Sequence, residues 1–226
     1  MNTENLRGRL IVSVQAPDGH AMRDIHTLTH VARACVDGGA AAIRCGGYGG
    51  LDDIRAIAGA VDVPVFGLTK EGSEGVYITP SVASVGAVAE AGADVVCVDA
   101  TFRPRQDGSR LEDQVTAAHD AGVLIMADCA TPDEARAALE AGCDLLSTTL
   151  AGYTPDRAAT EGPDLECVRA ARALLGPEPF LIGEGRYRSG ADAAEGLRAG
   201  ADPGWITARV AQQLRRPGGA AARSGG

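Results

Sequence analysis

Lysine is almost missing from this chain of 226 residues: Lys70 is the only one, and the other twenty basic residues are arginine. Aromatic residues make up only 4% of the chain and positive charge is outweighed, with a net charge of -9. That balance excludes the basic face that nucleic acid or an anionic membrane rewards, so neither is an expected partner. Hydrophobic runs stay well short of the roughly 20 residues a membrane span requires. The start, Met1-Asn2-Thr3-Glu4, lacks a charged stretch followed by an apolar one, and a cytoplasmic location is expected. No C-x-x-C pair occurs among Cys35, Cys45, Cys97, Cys129, Cys143 and Cys167, so these residues are expected as buried free thiols. No Asp/Glu/His spacing fits a metal, and no metal is expected.

What is present is a repeat of two patterns. Apolar runs predict strands at Leu10–Val14, Ala40–Ile43, Val65–Leu68, Asp94–Val98, Val123–Ala127, Asp144–Ser147 and Phe180–Gly183. Helical spacing fills the gaps at Leu28–Val36, Asp52–Ala60, Ser84–Ala91, Leu111–Ala121, Pro132–Ala141 and Leu165–Leu175. Strands apolar on both faces, alternating with amphipathic helices, predict a parallel sheet covered by helices. Gly38-Gly39-Ala40, Gly92-Ala93-Asp94, Gly142-Cys143-Asp144 and Gly200-Ala201-Asp202 mark the helix-to-strand joints, where glycine can take the left-handed conformation that ends a helix.

A polar residue closes every predicted strand: Gln15, Arg44, Lys70, Asp99, Asp128, Thr148 with Thr149, and Glu184 with Arg186. A doubly wound sheet concentrates function at one switch point, whereas the strand ends of a (β/α)8 barrel converge on one face. The ring of polar ends therefore predicts an α/β (β/α)8 TIM-type barrel. Arginine cannot surrender its proton in a protein, but a partly buried lysine can act as acid, base or Schiff-base nucleophile. Lys70 is the candidate catalytic residue. Gly46-Gly47-Tyr48-Gly49-Gly50 lacks the spacing of a dinucleotide fingerprint and is expected to be a flexible loop over the barrel mouth. His26 and His30 are expected to be solvated.

Leu10-Ile11-Val12-Ser13-Val14-Gln15-Ala16, Ile43-Arg44, Gly67-Leu68-Thr69-Lys70, Val76-Tyr77-Ile78-Thr79-Pro80, Asp99-Ala100-Thr101, Met126-Ala127-Asp128, Ser147-Thr148-Thr149-Leu150-Ala151-Gly152-Tyr153-Thr154 and Glu184-Gly185-Arg186 occur in that order. Together they resemble the N-acetylmannosamine-6-phosphate 2-epimerases, barrel enzymes of sialic acid breakdown, from about Leu6 to Arg209. The resemblance implies a metal- and cofactor-free isomerisation of N-acetylmannosamine 6-phosphate to N-acetylglucosamine 6-phosphate. It implies that Lys70 removes the C2 proton of the open-chain sugar and returns it to the other face. Glu184 then helps hold the lysine and the sugar hydroxyls, Arg44 faces the carbonyl or its enolate, and Gln15 and Asp128 touch the substrate. Thr149, Gly185 and Arg186 complete the expected substrate-binding set. Abstraction of a proton beside a carbonyl needs such a base and such a positive group.

Val14 and Gly47 depart from the family in small ways, standing where cysteine and asparagine are frequent. The large departure follows Gly200-Ala201. Asp202-Pro203-Gly204 runs straight into Trp205-Ile206-Thr207, where the family has an apolar eighth strand and a loop carrying an arginine. The expected fold is therefore a barrel with its eighth strand deleted. Ile206, Val210 and Leu214 recur at helical spacing, which predicts a helix over Trp205–Leu214 and a seam between the first and seventh strands. Loss of the loop also predicts low stability and weakened phosphate binding. A single barrel domain is expected over residues 1–214, with a disordered tail at 215–226 and a homodimer left open. Two rival readings stand beside the epimerase: a catalytically impaired relative serving as a binding protein or a damaged gene product, and a Schiff-base aldolase using Lys70.

Overall fold

A computed structural model describes residues 1–72 and 75–202 in full, and residues 204–206 by their backbone. The chain opens with a 3-10 turn, Thr3–Leu6, and then alternates strand and helix. The strands are β1 (Leu10–Ser13), β2 (Ala42–Gly47), β3 (Val65–Thr69), β4 (Val95–Asp99), β5 (Leu124–Asp128), β6 (Leu145–Ser147), β7 (Leu181–Ile182) and β8 (Gly204–Ile206). Between them lie α1 (Ile25–Asp37), α2 (Gly50–Ala58), α3 (Val82–Glu90), α4 (Leu111–Asp120), α5 (Pro132–Glu140), α6 (Leu165–Leu175) and α7 (Gly190–Arg198). All pairs are parallel, in the order β7-β6-β5-β4-β3-β2-β1-β8.

Strand alternation divides the core in two. Ile11, Phe66, Val95, Met126, Leu145 and Ile182 form an inner cluster, while Val12, Ile43, Val65, Val96, Ile125 and Leu181 pack with helix residues such as Leu28, Ile54 and Val85. Leu6, from the N-terminal turn, is buried with Phe180 in the inner cluster. These inner side chains fill the interior of the curled parallel sheet, as in barrels of this size.

The joint glycines take the predicted left-handed backbone: φ is +96° at Gly39, +100° at Gly92, +97° at Gly142 and +108° at Gly200. The aspartates after three of them have a shared task. Asp94, Asp144 and Asp202 each accept, through Oδ2, an N–H at the start of the preceding strand, from its first residue (Val65 at 2.8 Å, Leu181 at 2.7 Å) or its second (Ile125 at 2.9 Å). A carboxylate accepting a backbone N–H forms a charge-assisted bond, stronger than its neutral counterpart. The motif thus ties each new strand to the one before it.

Three expectations are corrected. Gly46 and Gly47 are not a flexible loop but the last residues of β2, buried and in register with Leu68 and Thr69 of β3. Helix α7 was not expected, since glycines weaken its pattern; Gly196 is there because a Cβ would come within 2.7 Å of the Tyr187 ring. Finally, Gly204–Ile206 is a strand on β1, pairing Leu10 with Gly204 and Val12 with Ile206, and not the start of a helix. The rest of that predicted helix, 207–214, and the tail at 215–226 lie outside the described residues.

The barrel wall is thus seven strands plus a three-residue piece, β8, where a deleted eighth strand was expected. Among the described residues β7 and β8 do not pair, and Asp202 bridges the seam. Its N–H donates to Leu181 O at 2.8 Å and its carbonyl accepts from Gly8 N at 2.8 Å. Its carboxylate holds Arg172 at 2.6 Å and also Arg7. Asp202→Ala keeps the two backbone bonds but removes the carboxylate from Arg172 and Arg7 and leaves Leu181 N without its acceptor. We expect a loss of about 3 kcal/mol, a fall in Tm of about 8 °C for a domain of this size. A thermal melt with Tm within about 2 °C of wild type would show that the seam does not depend on Asp202.

Candidate active site

At the carboxyl ends of the strands lies a cavity of about 360 Å³. Its wall carries seven of the eight residues expected there: Gln15 beyond β1, Arg44 on β2, Lys70 directly after β3, Thr149 after β6, and Glu184, Gly185 and Arg186 after β7. Asp128, at the end of β5, is fully buried and is not on that wall. Asp99 is also away from it, its carboxylate engaged by Thr101 and by Arg103 Nη2 at 2.6 Å.

Arg44 and Asp128 meet because both stand at the upper level of the barrel on strands facing across the interior. Arg44 Nη2 donates to Asp128 Oδ2 at 2.6 Å and Nη1 to Asp128 Oδ1 at 3.0 Å, a two-pronged pair. Nη1 also donates to Glu184 Oε2 at 2.7 Å. The Thr149 hydroxyl lies 2.7 Å from Asp128 Oδ1 and 2.8 Å from Glu184 Oε2, so it links the two carboxylates. Thr148 holds the Glu184 backbone on both sides: its hydroxyl donates to Glu184 O at 2.9 Å and accepts from Glu184 N at 3.1 Å. Arg44 is 2% exposed and Glu184 6%, so these charges interact in a medium that screens little.

One cation between two carboxylates leaves a net negative cluster. Burial pushes the Glu184 carboxyl up to about 7; the Arg44 charge opposes the rise and the Asp128 charge adds to it. Glu184 therefore holds its proton in the folded state through a range where the unfolded chain has lost it. The folded state binds more protons between 4.5, the ordinary carboxyl value, and about 7, so this group costs stability as pH rises through that window. We expect the stability difference between wild type and Glu184→Gln to decline from pH 4.5 to about 7 and then level off. Urea unfolding at a series of pH values checks it; a difference constant with pH would place the titration on another group.

Two cations on the wall are structurally engaged. Arg186, with φ of +60°, donates from Nε to Gly162 O at 2.9 Å, from Nη1 to Ala151 O at 2.8 Å and from Nη2 to Thr160 Oγ1 at 2.9 Å. It therefore ties the loop after β6 to the loop after β7. Lys70 follows β3, is bridged by its backbone to Ile78, and sets its Nζ 4.5 Å from the centroid of the Tyr48 ring.

Sequence reasoning missed the tyrosines. The chain has four, and Tyr48, Tyr77, Tyr153 and Tyr187 all line this cavity. Their scarcity was visible in the composition, but nothing in their spacing brings them together. Five of the six cysteines are buried free thiols as expected, and Cys35 is half-buried. Burial pushes the Cys167 thiol up to about 11, which keeps it from reacting as a thiolate. Among the described residues no His/Cys/Asp/Glu group could hold a metal, and no helix is long and apolar enough to cross a membrane.

This geometry has counterparts in known proteins. A family model described as "Putative N-acetylmannosamine-6-phosphate epimerase" matches residues 28–215. A Corynebacterium glutamicum (strain R) protein carrying the corresponding 2-epimerase description is 66% identical over 219 residues, covering 92% of this chain and 94% of its own. A Cutibacterium acnes relative with that description is 41% identical, covering 87% of this chain and 85% of its own. The solved N-acetylmannosamine-6-phosphate 2-epimerase from Clostridium perfringens superposes with a TM-score of 0.87 at 30% identity, covering 95% of this chain and 93% of that one. An α/β barrel with this sequence similarity and this fold belongs to the N-acetylmannosamine-6-phosphate epimerase family.

Proposed function

We propose that this chain interconverts N-acetylmannosamine 6-phosphate and its C2 epimer, N-acetylglucosamine 6-phosphate, with Lys70 as the proton-transfer base. The observation that carries the proposal is the sole lysine, placed on the wall of a cavity that also holds the Arg44–Asp128–Glu184 cluster. In the open-chain sugar the proton on C2 is acidified by the C1 carbonyl. The neutral Lys70 amine takes that proton, and the bonding electrons move onto O1 as an enolate. Arg44 lies on the same wall, and its fixed charge stabilises the developing negative charge without reorganisation. Returning the proton to the opposite face of C2 completes the epimerisation. Near neutral pH the Glu184 carboxyl populates both forms, so it can accept from a sugar hydroxyl or donate to one.

The phosphate is assigned to the loop after β7, where barrels of this kind commonly hold such groups. Gly185, Arg186 and Arg188 are on the cavity wall at that loop. Because Arg186 already serves three internal acceptors, phosphate affinity is expected to be lower than in a relative with a full eighth segment.

Incubation with substrate in deuterated water tests the proposal. The epimer should gain deuterium at C2, seen by mass spectrometry, and turnover without deuterium would refute proton transfer at that carbon. Borohydride added with substrate should leave no adduct on Lys70, whereas a trapped adduct would move the reading to Schiff-base lyase chemistry.

A further inference from the structure

The residues around Lys70 include one that neither its sequence pattern nor the catalytic cluster accounts for. Tyr48 is 38% exposed, among the more exposed large hydrophobic side chains described, yet its ring lies beneath the Lys70 ammonium at 4.5 Å. It sits in Gly46-Gly47-Tyr48-Gly49-Gly50, where neighbouring groups approach the backbone closely. A Cβ on Gly46 would fall on the Leu68 carbonyl oxygen, and one on Gly47 on the Gln15 side-chain oxygen. One on Gly49 would fall on Arg23 and Asp53, so the segment lies directly against that ion pair. Both Arg23 Nη atoms donate to Asp53 Oδ1 at 3.1 Å, and Asp53 is buried. The chain therefore lies tightly against Gln15 on one side of Tyr48 and against Arg23–Asp53 on the other. An aromatic side chain packed this closely at a cavity mouth, with the amine over its face, directs where that amine can go.

We propose that Tyr48 is a positioning residue, which holds the Lys70 amine over the cavity through a cation–π contact and acts on the reaction only through Lys70. The contact draws on the ring face and not on the phenol hydroxyl. Two other cations on this face show the same arrangement: Arg186 lies 5.2 Å from the Tyr153 ring and Arg103 lies 5.5 Å from that of Tyr77. The kinetic part of the proposal rests on Lys70 being the base, as above; the contact itself does not.

Because Lys70 is the only lysine, protein labelled with 13Cε-lysine gives a single lysine side-chain NMR signal. In wild type and in Tyr48→Phe the Lys70 Hε resonance should be displaced upfield by the ring. In Tyr48→Leu it should return to the ordinary lysine position. In parallel, kcat for C2 exchange should fall about tenfold in Tyr48→Leu with KM within about twofold, and Tyr48→Phe should match wild type. An undisplaced resonance in wild type overturns the proposal, and this holds even if Tyr48→Leu fails to fold. A kcat unchanged in Tyr48→Leu, or a Tyr48→Phe variant as slow as Tyr48→Leu, also overturns it. If wild type shows the displaced resonance but no C2 exchange, the contact stands and the reading of Lys70 as an epimerase base is what has failed.

Discussion

Lys70→Arg should suppress deuterium incorporation at C2 by about 10²–10⁴-fold while leaving the barrel folded. Arginine retains the positive charge and can still lie over the Tyr48 ring, so the electrostatic surroundings of the cavity change little. What it removes is the ability to become neutral near physiological pH, because a guanidinium stays protonated in proteins. The chain has no second lysine to substitute for it. The backbone bridge between Lys70 and Ile78 does not depend on the side chain, so Tm should move little. Exchange at a near-wild-type rate in this variant would remove Lys70 from the reaction, and with it the main support for the proposed chemistry.

The second large effect is on stability. Asp128→Ala deletes both prongs of a fully buried ion pair, leaving Arg44 with Glu184 as its remaining carboxylate among the partners described above. Removing one member of such a pair typically costs about 3–5 kcal/mol, because the surviving charge has already lost its hydration. The midpoint of urea unfolding should fall accordingly, with an unchanged slope. The same substitution removes the negative charge that helps hold Glu184 up near 7, so the Glu184 carboxyl should titrate lower. A variant within about 1 kcal/mol of wild type would mean that Arg44 is held by other groups and that the cluster is not a structural unit.

Asp202→Ala is smaller in scale but probes how the wall is joined between β7 and β1. The expected deletion of the eighth strand predicts an unfilled seam there. In the structure Asp202 lies in the seam, its backbone bonded to Leu181 on one side and Gly8 on the other. One aspartate serves there through its backbone, bonded to both sides, and through its carboxylate, which holds two arginines.

The sequence by itself determined the layered α/β architecture and the positions of β1 and β3 to β7, because apolar runs of strand length between helically spaced segments are local signals. It also singled out Lys70, which the structure places on the cavity wall, since a lone lysine in an arginine-rich chain stands out without any knowledge of its neighbours. It could not place Asp128 behind Arg44, because they are 84 residues apart and meet only when the sheet curls and brings β2 and β5 to face each other. The gathering of four tyrosines around one cavity, the strand state of Gly46-Gly47 and the helix containing Gly196 have the same origin. Each depends on what a distant segment places against the residue, whether the Leu68 carbonyl or the Tyr187 ring. The strand at Gly204–Ile206 makes the same point: its local spacing favours a helix, and the open edge of β1 overrides it, since unpaired backbone groups at a sheet edge gain more from a partner strand than three residues gain from helical propensity.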